Sequence, residues 1–347
     1  MVDHHIPRHV LITGAAGFIG CNLVRYLLAA WPEAELIALD ALTYAADPHA
    51  LAEAAAIAPD RHRLVHGDIA DAALVETLID QVDTVIHLAA ESHVDRSIDD
   101  PLAFVRTNVL GTATLLEAAR RAWQGRDDVR FHHVSTDEVF GSLGPAGAFD
   151  ERTPYDPSSP YSATKAGADH LARAWHRTYG LPVTISNCSN NYGPWQHPEK
   201  LIPTIVAHAL ADRPLPVYGD GGQVRDWLYV EDHCRALARM ITCGPTGGTW
   251  CVGGSGETTN LALVERLCAL LDNCAPRPDG RSYRAQITHV ADRPGHDRRY
   301  AINATRLCRE LGWEPQVSLD DGLERTVRHI LEHPDRLDQA LTRRGLV

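Results

Sequence analysis

The chain has 347 residues, 44% hydrophobic and 22% charged, and its 45 Asp and Glu outnumber 33 Lys and Arg to leave a formal charge of −12. At roughly 150 residues per domain the length predicts two domains, or one with an attached lobe, and the apolar share excludes a disordered or collagen-like chain. So acidic a surface disfavours sequence-independent nucleic-acid binding, which depends on neutralising phosphates, yet allows a local cationic pocket for a small anion.

Through the first half, short β-branched or Leu-rich runs alternate with longer amphipathic stretches. Strands are predicted over residues 9–13, 35–40, 63–68, 84–90, 130–135 and 182–189, and helices over 18–30, 74–79, 102–122 and 162–179. This alternation predicts a doubly wound α/β fold, a parallel sheet with helices on both faces. Near-continuous apolar strands fit burial on both sides. The Ala-rich stretch 41–58 shows only a local bias. After about Gly193 prolines and glycines crowd as far as Gly222, the strands become short, and helices are predicted over 231–241, 261–271 and 320–331. Residues 1–192 are read as the main sheet domain. Residues 193–347 are read mainly as a smaller α/β C-terminal lobe, with some segments returning to the main sheet.

The eight cysteines are scattered, with no C-x-x-C pair, so reduced thiols in a cytosol are expected and a metal site is not. The apolar stretch after His9 is broken by TGAAGFIG and lacks a preceding basic cluster, unlike a leader. No apolar run approaches the roughly 20 residues that span a bilayer. A soluble, cytoplasmic protein is expected.

Gly14, Gly17 and Gly20 stand between the first strand and the first helix. Glycine suits a tight turn, close approach to a pyrophosphate and close helix–strand packing, and the helix N-terminus favours the phosphates. Asp40 ends the second strand, twenty residues after Gly20. An acid there accepts ribose hydroxyls and repels a 2′-phosphate, so NAD is preferred over NADP. Asp68 and Ile69 either contact the adenine or, for Asp68, cap a helix over 70–80.

Tyr161 and Lys165 are four apart on a predicted helix and project from one face. An ammonium and a positive nicotinamide would both lower the phenol's pKa from about 10 and make it a base. Spacing of this kind occurs in many ordinary helices; the glycine motif upstream gives it weight. At the end of the fifth strand, Thr136, Asp137 and Glu138 stand where a doubly wound sheet places its ligands. Adjacent carboxylates resist ionising together, so one pKa is raised, which suits Asp137 as proton donor and Glu138 as acceptor. Taken alone, the pair is equally a solvated acidic turn.

Together TGAAGFIG, DALTYA, HLAAESHVDRSI, VSTDEVFG, YSATKAGAD, SNNYGPWQHPEKLIP, GGQVRDWLYVEDH and DRPGHDRRYAINA resemble the extended short-chain dehydrogenase/reductase superfamily, and more narrowly the dTDP-glucose 4,6-dehydratase family, over nearly the whole chain. The resemblance implies a Rossmann-type dinucleotide-binding domain over residues 1–192 with NAD as cofactor, a C-terminal lobe over 193–347 that mainly binds the substrate dTDP-glucose, and a homodimer joined through helices. It implies NAD contacts at Phe18, Ile19, Asp40, Ala41, Leu42, Thr43, Asp68, Ile69, Leu88, Ala89, Ala90, Ser92, Thr107, Tyr161, Lys165 and Asn191. Substrate contacts are implied at Ser92, Thr136, Asn190, Lys200, Leu201, Pro216, Val217, Tyr218, Arg225, Asn260, Asp292, Arg293, Pro294, Gly295 and His296. Lys200, Arg225 and Arg293 would meet a diphosphate, although any of them is equally a surface ion-pair residue, and His296 is equally a structural histidine. By the same resemblance Tyr161 removes the 4-hydroxyl proton, Glu138 the C5 proton, and Asp137 protonates the departing 6-hydroxyl. Thr136 is then expected to hydrogen-bond the 4-oxygen.

The chain departs from the family's usual residues at Asn187, where Arg is common, at Trp195 and His197, and at Phe140, where Tyr is common. A 4-epimerase would need Tyr161, Lys165 and NAD but no acid–base pair for losing water. A UDP-sugar 4,6-dehydratase differs in reading one methyl group, worth about 1 kcal/mol. A non-catalytic dinucleotide sensor would not need Tyr161, Lys165 and Glu138 together.

Overall fold

The computed structural model describes residues 4–292 and 296–336. Its centre is a seven-stranded parallel sheet, built from β1 (His9–Thr13), β2 (Glu35–Asp40), β3 (His62–His66), β4 (Thr84–His87), β5 (Arg130–Thr136), β6 (Val183–Cys188) and, after four short strands, β11 (Thr249–Val252). The order is β11-β6-β5-β4-β1-β2-β3. It reverses between β1 and β4, and a doubly wound sheet opens its ligand crevice at the carboxyl ends of such a pair. Successive side chains of a strand point to opposite faces. Accordingly Val10 and Ile12 join one buried cluster with Leu23, Leu27, Leu237 and Trp250, while Leu11 joins another with Val85, Leu115, Phe131 and Ile185.

The helices are α1 (Phe18–Ala30), α2 (Pro48–Ala55), α3 (Ala72–Ile79), α4 (Val94–Asp99), α5 (Pro101–Phe104), α6 (Thr112–Ala122), α7 (Pro160–Tyr179), α8 (Leu201–Leu210), α9 (Val230–Cys243), α10 (Asn260–Cys274), α11 (Thr305–Leu311) and α12 (Leu319–Glu332). α4 and α11 were not expected, and three further stretches differ from the sequence expectation. The supposedly featureless Ala-rich stretch forms α2, started by Asp47, whose side chain accepts from Ala50 N, and by Pro48 in the first turn. Pro-rich 194–222 contains α8, because Pro203 falls in its first turn, where a missing N–H costs nothing. The stretch 102–122 is not one regular helix: a π-helical turn, Val105–Gly111, joins α5 to α6. β3 and β4 also end earlier than expected, at His66 and His87, which releases Asp68 and Leu88–Ala90 from the sheet.

Past β6 the strands pair in twos: β7 (Asn190–Tyr192) with β10 (Trp227–Tyr229), β9 (Val224–Arg225) with β12 (Thr258–Thr259), and β8 (Leu215–Tyr218) with β13 (Ile287–Val290). They rest on a separate buried cluster that includes Ile202, Ile205, Leu263, Leu267, Leu323 and Val327. Meanwhile α9 packs against α1 and β11 lies beside β6, so later segments do return to the main sheet.

Candidate active site

A cleft of about 450 Å³ opens at the carboxyl ends of β1, β4 and β5. After Thr13 the backbone turns at Gly14 with φ 70°, in the left-handed region, and a Cβ there would lie 2.7 Å from Ala89 N. A Cβ on Gly20 would stand 2.1 Å from Gly14 O; neither position admits a side chain. Gly17 begins α1 without a side-chain cap, leaving the first-turn N–H groups and the positive dipole end to an anion. The Asp40 carboxylate accepts from Ala16 N at 2.9 Å and Leu42 N at 2.8 Å. Burial raises its pKa, opposed by these two amides. A fixed carboxylate with lone pairs to spare suits ribose hydroxyls and resists a phosphate.

Gly14, Gly17, Phe18, Ile19, Gly20, Asp40, Ala41, Thr43, Asp68, Ile69, Leu88, Ala89, Ala90, Ser92, Thr107, Tyr161, Lys165 and Asn191 all line the cleft. A dinucleotide fits this donor set. Leu42 is the exception among the expected cofactor contacts: it is absent from the lining, takes φ 51° and packs on the core. The capping alternative for Asp68 also falls. The N-cap of α3 is Asp71; Asp68 instead accepts from Ala70 N at 2.8 Å and pairs with Arg106 at 3.0 Å.

The helix bearing Tyr161 and Lys165 is strongly specified. Ser159 and Ser162 form a reciprocal capping box, Pro160 opens the first turn, and Gly180 ends it in the left-handed conformation. Both side chains are buried. Lys165 Nζ donates to Val134 O at 2.8 Å, which pins the ammonium beneath β5; burial lowers its pKa while Asp169 opposes the fall. Burial, then the Glu138 charge, push the Tyr161 phenol well above its ordinary value, and only Thr136 opposes them among the main influences. The expected lowering rests on a bound nicotinamide as well as on Lys165.

Thr136 is the last residue of β5, and Asp137 and Glu138 start a 3-10 turn whose N-cap is Thr136 itself. Asp137 is 2% exposed. Burial, then the Glu138 charge, raise its pKa well above the ordinary carboxylate value, which favours the proton-bearing form. Thr136 Oγ1 donates to its Oδ1 at 3.3 Å, and Oδ2 is buried with no hydrogen-bond partner.

Behind these groups lies a buried polar network that sequence reading did not identify. Burial alone would raise Asp169, but His133 at 3.1 Å, the Lys165 charge and Tyr155 at 2.6 Å hold its carboxyl down to about 2. Asn187, the position where Arg is usual, donates to Asp169 Oδ2 at 3.0 Å and Thr136 O at 3.2 Å, tying β6 to the end of β5. Asn108, in the π-helical turn, donates to Glu91 O and to Thr164 Oγ1 and accepts from Glu91 N, joining the loop after β4 to α7. The available signal was a polar residue inside an apolar run. The cleft wall further includes Glu91, Gln196, His197, Glu199 and Trp227. Beside it the Arg96 guanidinium lies 3.6 Å from the Tyr44 ring centroid and 3.8 Å from Glu199.

The expected substrate contacts divide. Ser92, Thr136, Asn190, Lys200 and Leu201 line the cleft, with Lys200 Nζ reaching Ser92 O at 3.5 Å. Pro216, Val217, Tyr218, Arg225, Asn260, Asp292 and His296 do not; they gather on the smaller lobe, where Asn260 N donates to Gln223 O and Gln223 Nε2 to Asp292 Oδ2. Arg225 is buried, stacks 4.2 Å from the Tyr300 ring centroid and acts on Asp137 through its charge. His296 bonds Asp292 at 2.6 Å. Arg293, Pro294 and Gly295 lie outside the described residues. Among the described residues no group of three or more His, Cys, Asp or Glu could hold a metal, and no helix is long and apolar enough to cross a membrane.

The geometry agrees with what known proteins show. Residues 11–326 match the family model described as GDP-mannose 4,6 dehydratase. A dTDP-glucose 4,6-dehydratase of Xanthomonas campestris is 55% identical over 324 residues, 91% of each chain, and one of Escherichia coli K12 is 49% identical over 345 residues, 95% of this chain and 94% of that one. The crystal structure of DesIV, a dTDP-glucose 4,6-dehydratase from Streptomyces venezuelae with NAD and TYD bound, superposes with a TM-score of 0.87 at 48% identity, covering 96% of this chain and 99% of that one. A UDP-glucose 4-epimerase from Thermotoga maritima has a TM-score of 0.82 at 26% identity, covering 94% and 99%. The fold is therefore shared with epimerases, whereas the extended identity is with dehydratases, and the chain belongs to the dTDP-glucose 4,6-dehydratase family of the extended short-chain dehydrogenase/reductases.

Proposed function

We propose that the chain converts dTDP-glucose to dTDP-4-keto-6-deoxyglucose, with Tyr161, Thr136, Asp137 and Glu138 as the groups that move protons. The observation that carries this is the acid pair: a buried Asp137 beside Glu138, both in the cleft wall with Tyr161 and Lys165. Epimerisation needs no such pair. NAD, when bound, is a reversible two-electron store that takes hydride from C4 and returns it at C6. Tyr161 takes the proton of the 4-hydroxyl, and Thr136 hydrogen-bonds the same oxygen as it becomes a ketone. That ketone acidifies C5, whose proton Glu138 removes while Asp137 protonates the departing 6-hydroxyl; Glu138 returns a proton to C5 as hydride reaches C6. Lys165 supports the Tyr161 phenolate, in company with the charge of the oxidised nicotinamide.

In this reading residues 1–192 hold NAD, and 193–347 mainly hold the nucleotide sugar, with Lys200 in the cleft wall and the buried Arg225 as cations for its diphosphate. The protein works in the cytoplasm as a homodimer. Support for the dimer comes from exposed apolar side chains on neighbouring helical segments, Ile98, Leu102, Val105, Leu110 and Tyr179; Leu102→Asp should shift sedimentation from dimer to monomer, and a wild-type monomer would refute the pairing.

The decisive experiment mixes the purified protein with dTDP-glucose in deuterated water without added cofactor, followed by mass spectrometry. Loss of one water with solvent deuterium at C5, and no net reduction, is expected. Reaction of UDP-glucose instead would move the nucleotide assignment. Inertness to both, with NAD supplied, would remove the dehydratase reading.

A further inference from the structure

Away from the active site the molecule has a second cleft, of about 410 Å³, where α7, β6, β11 and α11 meet the loop 151–155. It shares no lining residue with the active-site cleft, and its size suits a small molecule. Its wall is cationic although the chain carries a formal charge of −12. Three arginines, Arg173, Arg177 and Arg306, stand in it with one carboxylate, Glu151. A local surplus of this sign can outweigh the field of the whole molecule.

The hydrogen bonds already made sharpen the point. Glu151 is engaged, its Oε1 accepting from Cys251 N at 2.9 Å. Arg306 donates through Nε to Glu310 at 3.0 Å and through Nη1 to Thr249 O at 3.1 Å, which fixes its plane and leaves Nη2 over. Arg173 donates from Nη2 to the Tyr155 hydroxyl at 2.7 Å, and Tyr155 donates in turn to the buried Asp169 at 2.6 Å. That guanidinium is held in place with most of its N–H groups unspent. Arg177 is exposed and makes no hydrogen bond or ion pair with a described residue. Each guanidinium carries five N–H donors in a rigid fork, so the wall offers many more donors than its own acceptors consume. Two of the three forks are already oriented, which lowers the ordering cost of binding.

The arrangement also selects among anions. A planar carboxylate is satisfied by a single fork, whereas a phosphate directs its oxygens around a tetrahedron and can accept from forks brought by different elements. Here α7 brings two and α11 the third. Arg173 and Arg177 are four apart and share one face of α7. Tyr179, among the apolar residues that support the dimer, stands about 160° from Arg177 around the helix axis, on the opposite face.

We propose that this cleft is a second ligand site, for a small anion bearing a phosphate or diphosphate group, separate from the sites for the dinucleotide and the nucleotide sugar. The test is isothermal titration of pyrophosphate into the NAD-loaded protein with dTDP present to keep the probe out of the active-site cleft. One saturable binding event is expected. Arg177→Glu should weaken it about tenfold or more and leave dehydration of dTDP-glucose unchanged, which shows that the variant is folded. Arg328→Glu, the same charge change at an exposed position outside the cleft, should bind pyrophosphate as the wild type does. Absence of saturable binding, indifference to Arg177→Glu, or equal weakening by both substitutions would overturn the site. Citrate binding as tightly as pyrophosphate would overturn its preference for phosphate. Failure of dTDP to bind would count against the reading of the active site, and the dependence on Arg177 would still decide this proposal.

Discussion

Two regions of this chain place chemistry by different means. In the sheet region helices link parallel strands, and the groups that matter stand at strand ends: Gly14 after β1, Asp40 at the end of β2, Thr136 at the end of β5. In the smaller lobe the described strands are at most four residues long. They pair segments far apart in sequence, Leu215–Tyr218 with Ile287–Val290 for example. A sheet buried on both faces writes its pattern locally, residue by residue. A lobe assembled from distant pairs does not, and its binding residues are held by contacts no local pattern displays.

The sharpest way to break this division is at the chemistry, where the largest effect is expected. Asp137→Asn and Glu138→Gln should each lower dehydration about 10²- to 10⁴-fold. Both should leave the absorbance of reduced nicotinamide appearing on addition of dTDP-glucose; loss of that signal too would mean that the pair also serves the oxidation. Next come the two cores. Leu27→Ala and Leu267→Ala, each in a fully buried position of a different cluster, should cost about 2–5 kcal/mol in chemical denaturation. If the regions unfold separately, Leu267→Ala will shift only one of two transitions; a single shared transition would show the lobe to be no independent unit.

Close backbone approaches offer a finer comparison. A Cβ at Gly254 would lie 1.9 Å from Trp227 O, much as one at Gly20 meets Gly14 O at 2.1 Å. Alanine at either should destabilise by about 1–3 kcal/mol, but only Gly20→Ala should release NAD, read from the absorbance ratio of the purified protein. The smallest expected effect is the pH response. His233 is buried and its pKa is lowered from 6.5 to about 3, so the fold favours its neutral form. That contribution is complete above pH 6.5 and is lost as pH falls toward 3. Asp169, depressed from 3.8 to about 2 by its partners, adds a loss only below pH 4. Thermal melts should therefore decline first below pH 6.5, and His233→Gln should flatten that part of the curve.

How far the sequence could be read follows the same line. The glycine cradle, Asp40, Tyr161 and Lys165 were legible because a turn, a strand end and a helical spacing each force particular residue types. The ends of β3 and β4 were not, since Leu88–Ala90 is apolar enough to continue a strand and only Gly14 pressed against Ala89 shows why it cannot. Prolines misled at α8, where position within the first turn, invisible in composition, decides whether Pro breaks a helix. Asn108, His133 and Asp169 were hidden because a polar residue in an apolar run becomes informative only when its partner is known. The burial of the Tyr161 phenol beside Glu138 was not legible, because spacing places Lys165 on the same helix face but does not reveal what else surrounds the ring.

The π-helical turn at Val105–Gly111 carries a consequence for insertions and deletions. A wider turn accommodates a residue that an α-helix would not, and here the accommodated stretch contains Thr107 in the cleft wall and Asn108 bridging Glu91 to Thr164. Removing one residue would let the segment rewind as plain α-helix, more regular than before, while swinging the preceding side chains by about 100° around the axis. Such a shortened chain would keep its helix and lose the alignment of its active-site wall, so the irregularity acts as a spacer whose length is under functional rather than structural control.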